Sequence, residues 1–223
     1  MEPQYRWHRA DETDEFYCCP NHEEKEIYYA RTYTPHGGFG HSQTNSLILN
    51  FKKGPNKPPN ELYYRKEAIE KFASEVTTFL SAGFGLNNNH LLIPMPTSKP
   101  NQSSGYDNRL DLVMQKLCVA CKNVKPFPVL KRIYEVPASH QSTSTRNAQT
   151  IYDSLGIDDS VASIYCEGQI LTILDDITTS GAHFEAARRH LEEKFSGGRI
   201  IGVFWAKSKP APDDTHDNPT FSD

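Results

Sequence analysis

Long apolar runs are missing from this 223-residue chain, and no stretch approaches the ~18 residues that a membrane span needs. The first residues, MEPQYRWHRADETDE, lack the apolar centre of a secretory leader. Neither sign of charge dominates: 24 Lys and Arg against 28 Asp and Glu leave a net charge of −4. That balance supplies no overall basic field to recruit nucleic acid or an anionic membrane, although local phosphate binding stays open. Cysteine is sparse, with Cys18, Cys19, Cys118, Cys121 and Cys166 forming an odd set without a disulfide pattern. The expectation is a soluble cytoplasmic protein in a reducing compartment. Cys118 and Cys121 form a C-x-x-C with no second ligand pair, which suits core packing better than metal. His8, Cys18, Cys19 and His22 are a weak zinc set, because adjacent cysteines do not easily share one tetrahedral ion. No internal repeat is visible.

What the chain does have is the stretch Gln169 to Phe184, QILTILDDITTSGAHF. Ile170, Leu171, Ile173 and Leu174 predict one buried strand, stopping at the paired carboxylates Asp175 and Asp176. Thr178, Thr179, Ser180 and Gly181 follow, and then a helical pattern begins. The first amides of a helix have no intrahelical partner, and the helix dipole favours an anion there. Hydroxyls from Thr178, Thr179 and Ser180 can donate to the same anion. Gly181 permits close backbone approach. The carboxylates can accept from vicinal sugar hydroxyls. Strand, acids, hydroxyl-rich turn and helix start together suit a phosphorylated sugar.

Around that centre, residues 1–25 are charged and aromatic, with no predicted structure. Glu26 to Thr34 and Asn45 to Lys52 predict a β-hairpin around the loop His36 to Ser42. Its G-G-F-G is no dinucleotide fingerprint, since no strand-turn-helix surrounds it. After the break Gly54 to Asn60, a helix face runs from Arg65 through Ile69, Phe72, Val76 and Leu80 toward Gly83. His90 to Pro94 is a short strand, Asn108 to Cys121 a helix, Phe127 to Ile133 a strand and Arg146 to Leu155 a helix. Ala182 to Phe195 is the next helix, and Arg199 to Ala206 the last strand. Trp205 is more readily a core residue than a ligand contact. The alternation predicts an α/β fold: a mostly parallel central sheet with helices on both faces and an N-terminal β-hairpin hood. The folded domain is expected over residues 26–207. The tail 208–223 is too poor in apolar residues to fold alone and is expected to be flexible. Ligands of such sheets bind at the carboxyl ends of the strands, where the polar loops at Thr97, Glu135 to Thr145 and Asp175 converge.

The run LTILDDITTSG resembles the diphosphate-sugar signature of type I phosphoribosyltransferases. The likeness is closest to the ComF-like branch, with Ile93-Pro94-Met95-Pro96, Gly105-Tyr106-Asp107, Arg132, Gln141, Arg146 and Asn147 matching its later elements. It departs in having Ser104 where an Arg is usual, Asp107 where an Asn is usual, and Cys18-Cys19 in place of a cysteine-pair zinc ribbon. The resemblance implies a magnesium-dependent reaction of 5-phosphoribosyl 1-diphosphate (PRPP) with a nitrogen nucleophile. Asp175, Asp176 and Arg146 would be catalytic. Thr178, Thr179, Ser180 and Gly181 would hold the 5-phosphate, and Thr97, Ser98, Lys99 and Arg132 the diphosphate. Asp175 and Asp176 would meet Mg2+, directly or through water or substrate. Glu135 to Thr145 has the composition of a lid. The alternative is a catalytically idle subunit that senses PRPP or a nucleotide on the same fold. The partners implied are PRPP and an unidentified acceptor, and either a homo-oligomer or a place in a larger complex is compatible.

Overall fold

A computed structural model describes residues 5–83, 89–100, 102–103, 105–134 and 148–209. Its centre is a six-stranded sheet in the order β1-β2-β8-β7-β3-β4. The strands are β1 (His8–Arg9), β2 (Glu26–Tyr33), β3 (His90–Pro94), β4 (Val124–Pro126), β7 (Ile170–Thr178) and β8 (Arg199–Ser208). All neighbours are parallel except β1, which pairs antiparallel with β2 at the edge. A separate antiparallel ribbon joins β5 (Leu130–Arg132) to β6 (Leu155–Ile157). Every residue of β3 is buried, the signature of a parallel strand covered on both faces.

Crossover direction sorts the helices. From β2 the chain passes through α1 (Gln43–Phe51) and α2 (Pro59–Gly83) to β3, then through α3 (Arg109–Ala120) to β4. Both moves run the same way along the sheet, so right-handed crossovers put α1, α2 and α3 on one face. The return goes through α4 (Ala148–Asp153), α5 (Asp159–Ala162) and β7, then α6 (Ala182–Lys194) to β8, and places α6 on the other face. Side chains agree: Trp205 stacks on Phe72 at 4.8 Å under α2, whereas Phe204 meets Phe184 of α6 edge-on at 6.4 Å. Gly202 of β8 admits α6, since a Cβ there would lie 2.7 Å from the Phe184 ring. The connections from β3 and β7 thus part to opposite faces, which makes the ends of these paired strands the place where a crevice forms.

Four sequence expectations change. Asn45 to Lys52 is not the second arm of a hairpin but the body of α1. Ser42 caps it by accepting from the Asn45 amide at 3.0 Å, and the Asn45 side chain holds the end of β2 through Thr34 N (3.1 Å) and Thr34 O (2.7 Å). Ile48 and Phe51, three apart, are wholly buried, a helical rather than alternating pattern. β7 does not stop at the acids but runs on to Thr178, because β8 continues beside it as far as Ser208. Residues 5–25 pack onto the domain: Ala10, Phe16 and Cys19 are core residues. Ser208 belongs to β8 and not to the tail, while 210–223 lie outside the described residues. None of the described helices is long and apolar enough to cross a membrane.

Candidate functional site

Because β7 continues through the acidic pair, alternation turns the two carboxylates to opposite faces of the sheet. Asp175 faces α6. Its Oδ2 lies 2.9 Å from His183 Nδ1, and its Oδ1 accepts from the Asp176 amide at 2.8 Å. Burial pushes its carboxyl up, and the His183 ring counters part of that rise. Asp176 faces α1 and α3. Its Oδ1 accepts from the Ile177 amide at 2.9 Å, while Oδ2 lies 3.6 Å from Lys52 Nζ and 3.3 Å from Arg109 Nη2. Burial opposes its charge, but Lys52 and Arg109 outweigh that and hold the carboxyl down. Asp176 is 5% exposed, yet its Oδ2 makes no hydrogen bond to any described residue.

Sequence positions around Gly105-Tyr106-Asp107 fix Arg109. Asp107 accepts from Arg109 Nη1 at 2.5 Å and from Arg65 Nη2 at 2.8 Å, so one carboxylate ties α2 to the start of α3. The Arg109 guanidinium lies 5.5 Å above the Phe51 ring, next to Lys52 at the end of α1. Its Nε is buried with no hydrogen-bond partner.

Beyond Thr178 the chain turns into α6 through Gly181, whose φ of +76° is left-handed. No side chain caps the helix. Among the described residues, none accepts from the amides of Gly181, Ala182 or His183. Nor do the hydroxyls of Thr178, Thr179 and Ser180 bond to any described residue. The underside of the turn is braced by the N-terminal segment. Cys18 N donates to Ser180 O at 2.9 Å, and a Cβ on residue 181 would meet Cys19 Cβ at 2.7 Å and Phe16 Cδ1 at 3.0 Å. Lys207, at the end of the neighbouring strand, is held by the buried Asp14 at 2.6 Å.

The loop after β3 is shaped by Arg132. Its Nε donates to Thr97 O and its Nη2 to Pro96 O, both at 2.9 Å, and its Nη1 donates to Ser154. Arg132 therefore pins the backbone of the Thr97 loop and is itself buried. Thr97 folds its hydroxyl back to Lys99 O at 3.2 Å, and Ser98 and Lys99 are half-buried beside it. Lys99 Nζ lies 3.8 Å from where a Cβ on residue 105 would stand, so this loop touches the Gly105 turn. Arg146, Gln141, Asn147 and the lid stretch 135–145 lie outside the described residues, as does Ser104. Trp205 is fully buried, with its Nε1 donating to Glu75 at 2.8 Å, which makes it core. Among the described residues no three His, Cys, Asp or Glu side chains converge as metal ligands, the His8/Cys18/Cys19/His22 set included.

Lys52, Arg109 and His183 escaped the sequence reading. Only His183 carried a local signal, a polar ring two residues past Gly181. Lys52 falls in a segment whose pattern suits a strand, and Arg109 is an ordinary charged residue at the opening of a helix. No protein-family model matches this chain, and no curated protein is significantly similar to it.

Proposed function

We propose that the chain binds PRPP and transfers its phosphoribosyl group to a nitrogen nucleophile, releasing diphosphate. One observation carries the proposal: a buried carboxylate oxygen without a hydrogen-bond partner, Asp176 Oδ2, stands just before a helix start whose amides and flanking hydroxyls are unspent. A sugar hydroxyl donates to the first, and a phosphate accepts from the second. The 5-phosphate would rest on Thr178, Thr179, Ser180 and Gly181, with the ribose over Asp176 and the diphosphate toward Thr97, Ser98 and Lys99. In the reaction the C1–O bond breaks with its electron pair leaving on diphosphate, and the nucleophile's lone pair forms the new C1–N bond. The Asp176 carboxylate favours the positive charge that develops on the sugar.

Mg2+ fits this chain only in part. Both oxygens of Asp175 are engaged, so Asp176 Oδ2 is the place on the acidic pair that could meet the ion, through water or through substrate oxygens. When bound, Mg2+ would neutralise the leaving diphosphate.

Isothermal titration with PRPP and Mg2+ tests the proposal. The expected result is heat and thermal protection with the wild type, both lost in Asp176→Asn. A wild type showing neither ends it. A catalytically idle sensor is the second reading, favoured by the engagement of Asp175 with His183 and of Arg132 with backbone carbonyls, which leaves fewer groups for turnover. Diphosphate release measured over a panel of bases and amines separates the two, since steady turnover on any acceptor eliminates the sensor.

A further inference from the structure

Resting on that proposal, we infer that Lys52 and Arg109 form an anion clamp above Asp176, and that this pair, contributed by α1 and α3, takes the second anionic group of a sugar already anchored at Thr178 to Gly181. Three polar atoms without a hydrogen bond meet there, within a loosely closed ion cluster. Asp176 Oδ2 and Arg109 Nε are buried without hydrogen-bond partners. Lys52 Nζ stands 3.6 Å from the carboxylate, too far for a hydrogen bond, with its side chain 30% exposed to approach. Arg109 Nη2 is 3.3 Å from the same oxygen without closing a hydrogen bond to it. An ion cluster serving only the fold would close these contacts, since a buried polar group left without a partner is destabilising. Asp107 and Arg65 hold Arg109 in this attitude from behind, and the Phe51 ring supports it below. The arrangement is pre-paid for a ligand that brings acceptor oxygens to the two cations and a hydroxyl to the carboxylate.

Geometry fixes what kind of ligand that is. Asp176 and Thr178 are two residues apart on one strand and share a face. That spacing is about 6.6 Å at ~3.3 Å per residue, the reach of one five-membered ring with its exocyclic carbon. One pentose is thus long enough to lie over Asp176 with a phosphate on the turn and a second anion toward Lys52 and Arg109. The preferred ligand is a sugar with two anionic substituents, and a sugar monophosphate leaves the clamp unfilled.

The test is isothermal titration of inorganic diphosphate, ribose 5-phosphate and PRPP, each with Mg2+, into wild type, Arg109→Gln and Lys52→Gln. Each substitution is expected to weaken diphosphate and PRPP about tenfold or more, the weight of a charge-assisted hydrogen bond, with ribose 5-phosphate changed less than about threefold. Arg109→Lys should recover part of the loss, and ligand-free melting checks that the variants fold. Should Arg109→Gln fail to fold, Lys52→Gln carries the comparison alone. Equal weakening of all three ligands, or none, overturns the clamp. If ribose 5-phosphate does not bind the wild type while diphosphate does and depends on Lys52, the phosphate turn fails and the clamp stands.

Discussion

Gly181 shows how one position can be legible and still incompletely understood. Its place after the hydroxyl run marks a turn, and the left-handed φ of +76° confirms that need. What the local pattern could not show is Cys19 and Phe16 pressed against its Cα from far upstream. Gly181→Ala therefore meets two penalties, a disfavoured backbone and a Cβ 2.7 Å from Cys19 Cβ. The expected cost is about 2–4 kcal/mol in urea unfolding, with the m-value unchanged. The same limit hid Lys52 and Arg109. Asp176 sits in a string of types that announces its chemistry, but its cationic neighbours come from two other elements and nothing adjacent to them in the chain distinguishes them.

Among the elements, β3, α3, α6 and β8 followed from apolar period to within a few residues, while α2 begins at Pro59, six residues before the face that its period marks from Arg65. The segment after β2 did not, because Asn45 to Lys52 is short and rich in residues that suit either strand or helix. Its fate is settled by Asn45, a buried amide that ties the Thr34 backbone, just past β2, to the capped start of α1. Asn45→Ala strands both Thr34 groups, with an expected loss of about 1–3 kcal/mol. Lys52, carried at the end of α1, should become mobile with it. Hydrogen exchange should show faster exchange across residues 43–52 and little change in α6, and uniform acceleration over the whole chain would contradict that local role. The strand end at Asp175 was misjudged for a related reason: two carboxylates look like a boundary until a neighbouring strand is known to extend past them.

Across the whole molecule, buried titrating groups set how stability responds to acid. His90, buried and 2.9 Å from Thr172 Oγ1, is held down to about 4 by loss of solvent. An unfolded His titrates near 6.5, so between pH 6.5 and 4 the unfolded chain binds a proton that the native chain refuses. Stability contributed here is fully present above pH 6.5 and declines as pH falls to about 4. Burial alone would raise Glu185, but Arg188 and Lys25 outweigh it and hold it down to about 2. Its contribution is present above its ordinary value of 4.5 and is lost as pH falls to about 2. Melting temperature should therefore decline in two successive windows, and His90→Gln should flatten the upper one alone. A decline in that variant that still begins near pH 6.5 would contradict the assignment.

The amino-terminal segment crosses under the turn that opens α6, fastened by Cys18 to Ser180 and by Asp14 to Lys207. Any shift of that turn would have to part Ser180 O from Cys18 and lift Gly181 off Cys19 and Phe16, so segment and turn move as one. Residues 5–25 then act as a keel rather than an appendage: trimmed away, they take the edge strand β1 with them and leave the turn at Gly181 without its footing, while the five parallel strands keep their pairing.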